Sequence, residues 1–292
     1  MQAHVIPAIS IEVAGVSKSF RVDGRIVEVL HAVDLEAAAG RFVTLIGPSG
    51  CGKSTLFNII CGLLEPDAGQ VRLGGQATGR RAGRVAYMPQ KDLLLPWRSV
   101  LDNVILGQEI AGVPRARARQ EALELMPAFG LAGFERSYPA VLSGGMKQRA
   151  AFLRAVLQKA PAILLDEPFG ALDALTLAAL QEWLLEVWSR FGQTILFITH
   201  DVEEAVFLSD RVYVLSPRPG RVSLVLDVDL PRPRERAMVT RADFAAYKAC
   251  LLAALVQDQD SPSAMAPGER ALLRGHPSPR PLPAPREGGE SS

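Results

Sequence analysis

A glycine-rich run that follows a short apolar stretch constrains this chain more than any other feature. Residues 42–46 have the composition of a β-strand and residues 56–63 that of a helix, and between them stands the run Gly47-Pro48-Ser49-Gly50-Cys51-Gly52-Lys53-Ser54-Thr55. The pattern G-x-x-x-x-G-K-[ST] between a strand and a helix is typical of a phosphate-binding loop. Its glycines let the backbone curl so that N–H groups point inward, and the helix N-terminus adds partial positive charge. We therefore expect this run, called the P-loop below, to bind phosphate groups.

Two side chains at the end of the P-loop indicate which phosphates it binds. Lys53 is expected to bring a mobile positive charge to the β- and γ-phosphate oxygens, and the Ser54 hydroxyl to bind Mg²⁺. A glycine-rich turn that matches by chance is the alternative, and the complete strand, loop and helix context makes it a poor one. The P-loop alone predicts a nucleoside triphosphatase.

A second apolar strand ends in two adjacent carboxylates. Residues 162–165 lead into Asp166 and Glu167, where a buried strand would not tolerate charge without a purpose. Successive side chains on a strand point in different directions, so one carboxylate can hold Mg²⁺ while the other reaches the attacking water. We assign Asp166 to the metal and Glu167 to the water as general base. A solvated acidic pair is the alternative.

One glutamine stands between the core and a helical stretch. Gln90 follows Tyr87-Met88-Pro89 at the end of a predicted strand, where a neutral amide could sense both the metal and the position of the helices that follow. A glutamine in a loop carries little information by itself. Its position makes Gln90 a hinge candidate and a metal ligand candidate.

Apolar, β-rich runs recur between helix-like stretches and predict the fold class. They lie at residues 42–46, 85–88, 162–165, 194–199 and 211–215. Runs this apolar suit strands covered on both faces, as in a parallel sheet flanked by helices. Between residues 91 and 159 the strand signals disappear, and Ala, Leu, Glu, Arg and Gln dominate. We predict an α/β core over residues 1–230, with a helical subdomain inserted at about residues 91–160.

The end of the chain changes character twice. Residues 244–256 have helical composition and predict a C-terminal helical extension over residues 231–260. Seven of the 21 prolines follow Ser261, together with Gly, Ser and Arg. Such a segment cannot bury enough apolar area to fold alone, so we predict a disordered tail at residues 261–292.

Composition limits the classes of partner and the compartment. The 32 Lys and Arg nearly balance the 31 Asp and Glu, which provides no overall positive field for nucleic acid or an anionic membrane. Neither a secretion segment nor a spanning segment is apparent. Cys51, Cys61 and Cys250 are odd in number and form no C-x-x-C pair, which argues against a disulfide framework and a zinc site. A reducing cytoplasm fits best, and any membrane attachment must come through a partner.

A further motif names a family. The run Leu142-Ser143-Gly144-Gly145-Met146-Lys147-Gln148-Arg149 opens a predicted helix that ends near Leu157. It closely resembles the signature motif of ATP-binding-cassette (ABC) ATPases. Ser143 and the amides of Gly144 and Gly145 sit at a helix N-terminus, where free donors and the helix dipole favour phosphate. An ordinary Ser N-cap is the alternative, and it is contradicted by the order in which P-loop, Gln90, signature, acidic pair and His200 follow one another.

The resemblance covers about residues 9–217 and implies the remaining roles. It implies a P-loop NTPase fold with a RecA-like parallel sheet, an antiparallel β part and an inserted helical subdomain. Ala171-Leu172-Asp173 would communicate across a dimer, His200 would contact the γ-phosphate, and Phe20 would place its ring against adenine. Without the resemblance, His200 reads as a loop or core residue, and Phe20 as a buried strand aromatic.

Three further segments are similar to the ATPases of nitrate, sulfonate, taurine and bicarbonate importers. They are Asp92-Leu93-Leu94-Leu95-Pro96-Trp97-Arg98-Ser99-Val100-Leu101-Asp102-Asn103-Val104, Gly112-Val113-Pro114-Arg115 and Leu215-Ser216-Pro217-Arg218-Pro219-Gly220-Arg221. Importers of pyrimidine vitamin precursors share much of this pattern. The cluster at residues 93–97 fits either a groove wall that receives a permease helix or packing inside the helical subdomain.

The resemblance also implies cofactors, partners and location. ATP and Mg²⁺ would bind at a site completed by a second copy of the chain, beneath integral membrane permease subunits and, indirectly, a solute-binding protein. The chain would lie on the cytoplasmic face of the inner membrane. A non-transport ABC ATPase is the alternative, but such proteins commonly fuse two cassettes or carry a long coiled coil, and the sequence shows neither. A P-loop kinase or GTPase would leave the signature unexplained.

Cys51 carries one expectation of its own. Because it lies within the P-loop, a group added to its thiol is expected to occupy nucleotide space and block hydrolysis, and MgATP is expected to protect it.

Overall fold

The computed structural model describes residues 7–77, 81–170 and 174–260 of the chain. In chain order, its strands are β1 (Ile11–Val22), β2 (Arg25–Ala37), β3 (Phe42–Ile46), β4 (Ala68–Leu73), β5 (Gln76–Ala77), β6 (Ala86–Met88), β7 (Ala162–Asp166), β8 (Thr194–Ile198), β9 (Arg211–Leu215) and β10 (Val222–Asp227). The α-helices are α1 (Lys53–Ile60), α2 (Val100–Val104), α3 (Leu106–Ile110), α4 (Arg115–Leu125), α5 (Gly144–Leu157), α6 (Ala174–Phe191), α7 (Val202–Leu208) and α8 (Ala242–Asp260).

The strands form two sheets of different character. The larger has the order β10-β9-β3-β8-β7-β6, in which every neighbouring pair is parallel except β9 and β10. The smaller sheet has the order β2-β1-β4-β5 and is antiparallel. The five apolar runs are strands of the larger sheet, which confirms the predicted α/β fold with an antiparallel β part.

The parallel strands are mostly apolar because both of their faces are covered. Val43 and Leu45 of β3 lie in a core with α1 and the antiparallel sheet, whereas Phe42 and Ile46 lie in a core with α5, α6 and α7. All five residues of β3, β7 and β8 are buried, so no polar face remains that would produce an alternating pattern.

The helical insertion lies between β6 and β7. The stretch from residue 91 to residue 159, all of it described, holds α2 to α5 and no strand. The predicted helix at residues 244–256 lies within α8. Among the residues that the structure describes, no helix combines the length and the hydrophobicity needed to cross a bilayer. Ala171-Leu172-Asp173 and residues 261–292, for which the sequence predicts dimer communication and a disordered tail, lie outside the described residues.

The strand order brings the predicted site residues to one edge of the larger sheet. The P-loop follows β3, Gln90 follows β6, Asp166 ends β7 and His200 follows β8. Parallel strands end on the same side, and ligands of such sheets bind beyond the carboxyl ends. The candidate site therefore lies along this edge.

Candidate nucleotide-binding site

The P-loop curls tightly between β3 and α1. Gly52 precedes the helix with φ of +108°, a left-handed value that suits glycine. A Cβ on Gly52 would lie 2.6 Å from Cδ2 of Leu30, and a Cβ on Gly47 would lie 2.7 Å from the carbonyl oxygen of Leu215. Since neither position has room for a side chain, the loop packs directly against β2 and β9.

Lys53 lies inside this curl. Its side chain is buried, and Nζ donates to the carbonyl oxygens of Gly47 at 2.8 Å and Pro48 at 3.1 Å. The third N–H donor of the ammonium group has only a long contact of 3.9 Å, to Sγ of Cys51, which a phosphate oxygen could replace. A buried cation without a carboxylate partner is costly, and an anionic ligand in the loop would offset that cost. Phosphate therefore fits this part of the site.

Asp166 is the buried member of the acidic pair. It is 4% exposed, and its Oδ2 accepts a hydrogen bond from the phenol of Tyr87 at 3.2 Å. Burial raises the pKa of the Asp166 carboxyl, and hydrogen bonds from Ser54 and Tyr87 oppose that rise. A bound cation would stabilise the ionised form, so the pairing of Asp166 with the Ser54 hydroxyl fits Mg²⁺.

The rest of the donor set agrees with this fit. Mg²⁺ in nucleotide sites usually takes one or two protein oxygens and completes its shell with phosphate and water. Within residues 7–77, 81–170 and 174–260, no group of three or more His, Cys, Asp and Glu side chains forms a metal cage. Ser54, Asp166 and the nearby amide of Gln90 are thus the groups that could hold the ion together with phosphate.

Glu167 is held differently from its neighbour. Its backbone N–H continues the pairing with β8 by donating to the carbonyl oxygen of Ile198 at 3.0 Å, but its φ is +45°. A left-handed backbone at a non-glycine residue costs on the order of 1 kcal/mol, and such strain concentrates at functional sites. The turn sends the carboxylate away from Asp166 and towards the cleft.

Two side chains from neighbouring strands approach the same oxygen of Glu167. Nε2 of Gln90, after β6, donates to Oε2 at 3.0 Å, and Nδ1 of His200, after β8, lies 3.6 Å from that oxygen. Because β7 lies between β6 and β8, the carboxylate is flanked on both sides. His200 is exposed, and the neighbouring Asp201 caps α7 by accepting a hydrogen bond from the N–H of Glu204 at 3.0 Å.

The P-loop, Gln90 and Glu167 line one open cleft of about 510 Å³, and Asp166 and His200 lie beside it, in contact with Tyr87 and Glu167 respectively. Its lining combines Phe20 and Val29 of the antiparallel sheet, Lys53 and Ser54 of the P-loop, and Glu167. The Phe20 side chain is 37% exposed. The volume lies within the range of small-ligand sites, about 300–1,000 Å³. The cleft thus combines an exposed ring, a phosphate nest and a carboxylate.

The signature residues stand apart from this cleft. Ser143 is the N-cap of α5, and its Oγ accepts a hydrogen bond from the N–H of Met146 at 3.3 Å. Ser143 and Gly144 are exposed, Gly145 is buried, and none of the three lines the cleft. The structure therefore brings together the P-loop, Gln90, Asp166, Glu167 and His200, but not the signature of the same chain.

The interpretation of Cys51 changes with the structure. Its side chain is 1% exposed and lies in the core beneath the P-loop, and it does not line the cleft. The thiol is therefore poorly accessible in the native fold, and the expectation that a group added to it blocks hydrolysis stays a prediction. The P-loop curl places the Cys51 side chain in the core, while Ser49, Gly50, Gly52 and Lys53 line the cleft.

We accordingly expect Cys51 to react slowly with iodoacetamide in the native protein. Burial raises the pKa of its thiol despite the nearby Lys53 charge, so little thiolate is present at neutral pH. Peptide mass spectrometry should find Cys250, which is exposed, modified first with ATPase activity retained. The urea-denatured chain, in which all three thiols should react, is the control. Fast modification of native Cys51, prevented by MgATP, would contradict this orientation.

Two residues near the cleft were missed as functional candidates in the sequence. Tyr87 was noted only as a neighbour of Gln90, yet its phenol contacts Asp166, and burial raises the pKa of that phenol so that it stays a donor. Arg218 was noted only as part of a subfamily pattern, yet its side chain lines the cleft. The signal for Arg218 was its position directly after β9, at the same sheet edge as the other site residues.

Comparisons with known proteins identify the family of this chain. A family model described as ABC transporter matches residues 30–170. An uncharacterized ABC transporter ATP-binding protein of Methanocaldococcus jannaschii is 42% identical over 84% of this chain and 90% of its own length. A taurine import ATP-binding protein of Rhizobium johnstonii is 46% identical over 72% of this chain and 80% of its own length. An aliphatic sulfonates import ATP-binding protein of Bacillus cereus is 40% identical over 78% of this chain and 89% of its own length.

Solved structures agree as well. A dimeric ATP-binding cassette, in a post-hydrolysis state bound to ADP and Pi, superimposes with a TM-score of 0.66 and 30% identity. The match covers 76% of this chain and all of that one. With relatives above 40% identity along most of their length and a P-loop, acidic pair and signature in place, the chain belongs to the ABC transporter family, as an ATP-binding subunit that hydrolyses ATP.

Proposed function

We propose that this chain is the energy-coupling ATPase of an importer for a small anion of the nitrate, sulfonate, taurine or bicarbonate type. Two of the relatives are named for the import of taurine and of aliphatic sulfonates, and both solutes carry a sulfonate group. The chain would work at the cytoplasmic face of the inner membrane, attached through a separate permease and served indirectly by a solute-binding protein.

The roles in ATP binding follow from the cleft. The P-loop amides and the ammonium group of Lys53 bind the β- and γ-phosphates, and the exposed ring of Phe20 stacks on adenine. Ser54, Gln90 and Asp166 would hold Mg²⁺, whose charge offsets that of the phosphate oxygens when it is bound. Aromatic stacking and phosphate binding at opposite ends of the cleft fix the orientation of the nucleotide.

Glu167 serves as the general base. Its carboxylate takes a proton from the attacking water, and the hydrogen bond from Gln90 orients the accepting group. His200, close to the same oxygen, contacts the γ-phosphate and keeps the base at that end of the cleft. The backbone of Glu167 turns with a positive φ, and its carboxylate lines the cleft, whereas the carboxylate of Asp166 is buried.

One observation supports the two-copy arrangement above all others. Ser143 and the backbone N–H of Gly144 are exposed at the start of α5, but they do not line the cleft of their own chain. A helix N-terminus of this kind binds anions. Two copies facing each other would place the signature residues Ser143, Gly144 and Gly145 of one against the γ-phosphate held by the other. The dimeric solved cassettes support this arrangement.

The loop after Gln90 supplies a surface for the permease. Leu93 is 58% exposed and Trp97 72% exposed, whereas Leu94 between them is buried, so both earlier interpretations of this cluster apply to different members. Arg154 of α5 donates to the carbonyl oxygens of Leu93 at 2.8 Å and Asp92 at 2.5 Å. Since α5 begins at the signature, movement of this surface would reach both Gln90 and the signature.

Uptake measurements test the proposed function. A strain that lacks this chain should lose uptake of one anionic solute among labelled nitrate, taurine, alkanesulfonates and bicarbonate, and the wild-type chain should restore it. The Glu167→Gln variant should not restore uptake, because it lacks the general base. Loss of pyrimidine precursor uptake alone would replace the anion by a vitamin precursor. Unchanged uptake of every solute, with no permease co-purifying, would favour a non-transport ATPase.

A further inference from the structure

A hairpin after β9 is fixed against the P-loop. Residues 216–221 join β9 to β10, and the N–H of Ser216 closes the hairpin by donating to the carbonyl oxygen of Arg221 at 2.9 Å. Both backbone groups of Gly220 pair with β2. Its N–H donates to the carbonyl oxygen of Val29 at 2.9 Å, and its carbonyl oxygen accepts from the N–H of His31 at 3.1 Å. A Cβ on Gly220 would lie 2.2 Å from the carbonyl oxygen of Cys51. The hairpin is therefore packed between β2 and the P-loop.

This packing places the guanidinium group of Arg218 at the cleft. Its Nε and Nη2 lie 3.2 Å and 2.9 Å from the carbonyl oxygen of Gly50, so the P-loop backbone holds one edge of the group. Arg218 is exposed and lines the same cleft as Phe20 and Lys53. A guanidinium group has five N–H donors, so three remain after these contacts.

The charges around the cleft indicate what these donors meet. Lys53, Glu167 and Arg218 are the charged side chains that line it, and Glu167 repels phosphate. Arg218 forms no ion pair with a carboxylate of the described residues. Lys53 already spends two of its three donors on the P-loop backbone. The cleft thus holds an uncompensated guanidinium group with more free donors than the lysine of the motif itself.

We propose that Arg218 is a second cationic ligand of the nucleotide, which donates to its phosphate oxygens from the hairpin rather than from the P-loop. The planar guanidinium group suits phosphate because it can offer two parallel N–H donors. Its bond to Gly50 aligns it before the nucleotide arrives, which lowers the entropy lost on binding. The proposal rests on the nucleotide roles proposed above and adds a residue that lies 168 positions from Gly50 in the chain.

Calorimetric titration of the purified protein tests this proposal. Arg218→Ala should weaken the binding of MgATP and MgADP by about tenfold, the effect of one charge-assisted hydrogen bond. Arg218→Lys should recover part of the loss, since it restores the charge without the planar donor edge. Arg221→Ala, which removes the same charge from the same hairpin but does not line the cleft, should bind like the wild type.

The salt dependence separates a phosphate contact from a role in bracing the P-loop. If Arg218 binds phosphate, the affinity of Arg218→Ala should fall less steeply than that of the wild type between about 0.05 and 0.5 M salt. An unchanged slope, with a lower melting temperature of the nucleotide-free protein, would reduce Arg218 to a structural brace and overturn the proposal.

Two other outcomes would also overturn it. Wild-type affinity for both nucleotides, with weakened dimerisation, would assign Arg218 to the contact between copies. Wild-type affinity without any change in dimerisation would leave the residue no part in the site. A wild-type protein that binds neither nucleotide would instead contradict the proposed function itself, which keeps the two failures distinguishable.

Discussion

Replacing Glu167 by Gln should slow ATP hydrolysis by at least about a hundredfold and cause the protein to accumulate as an ATP-bound dimer. Gln retains the shape of Glu and the carbonyl oxygen that can accept the hydrogen bond from Gln90, but it cannot take a proton from water. Nucleotide affinity should hold, because neither the P-loop nor Asp166 changes. In the proposed two-copy site, hydrolysis removes the phosphate that joins the copies, so the slow variant should remain associated.

Phosphate release and size-exclusion chromatography with light scattering, both at saturating MgATP, measure these two effects. Glu182→Gln is a matched control, since Glu182 is exposed on α6 and does not line the cleft. That control should hydrolyse ATP like the wild type. A Glu167→Gln protein that stays monomeric at saturating MgATP would force the two-copy site to be abandoned.

The larger sheet was predictable because its determinants are local. Runs such as 162–165 and 194–199 are mostly apolar and short, a composition typical of strands covered on both faces. The antiparallel sheet was expected only from the family resemblance. Its strand β1 has register shifts near Val13, Val16 and Lys18, which interrupt the alternation of buried and exposed residues. Without a regular two-residue alternation of apolar and polar residues, the sequence gives no clear signal of a strand.

The sequence singles out the residues of the candidate site one by one, but not the geometry that brings them together. The acidic pair and the glutamine were assigned from their positions at strand ends. Their contact, with Gln90 and His200 on either side of Glu167, depends on β7 lying between β6 and β8. Strand order in a parallel sheet is set by crossovers through helices, so nothing adjacent in the sequence encodes it.

Cys51 and Arg218 both show that the sequence does not predict the direction of a side chain. Cys51 belongs to the phosphate-binding motif, but the direction of its side chain depends on how the P-loop curls, and it faces the core. Arg218 belongs to no phosphate-binding motif, but the hairpin brings it to the P-loop backbone. A motif identifies which segment carries the chemistry, whereas the direction of each side chain is decided by packing.

The second large effect is expected from Ser143→Arg in the Glu167→Gln background, which should abolish the ATP-bound dimer and leave nucleotide binding by the monomer intact. Ser143 is exposed and does not line its own cleft, so nucleotide binding by the same chain should not depend on it. In the proposed dimer, the bulky side chain would collide with the nucleotide held by the other copy. The substitution also removes the Ser143 cap of α5, which costs about 1 kcal/mol, so the melting temperature should fall by only a few degrees. Size-exclusion chromatography at saturating MgATP, with a titration of nucleotide affinity, measures both effects. A dimer that survives Ser143→Arg would show that the signature of one copy does not close on the phosphate of the other.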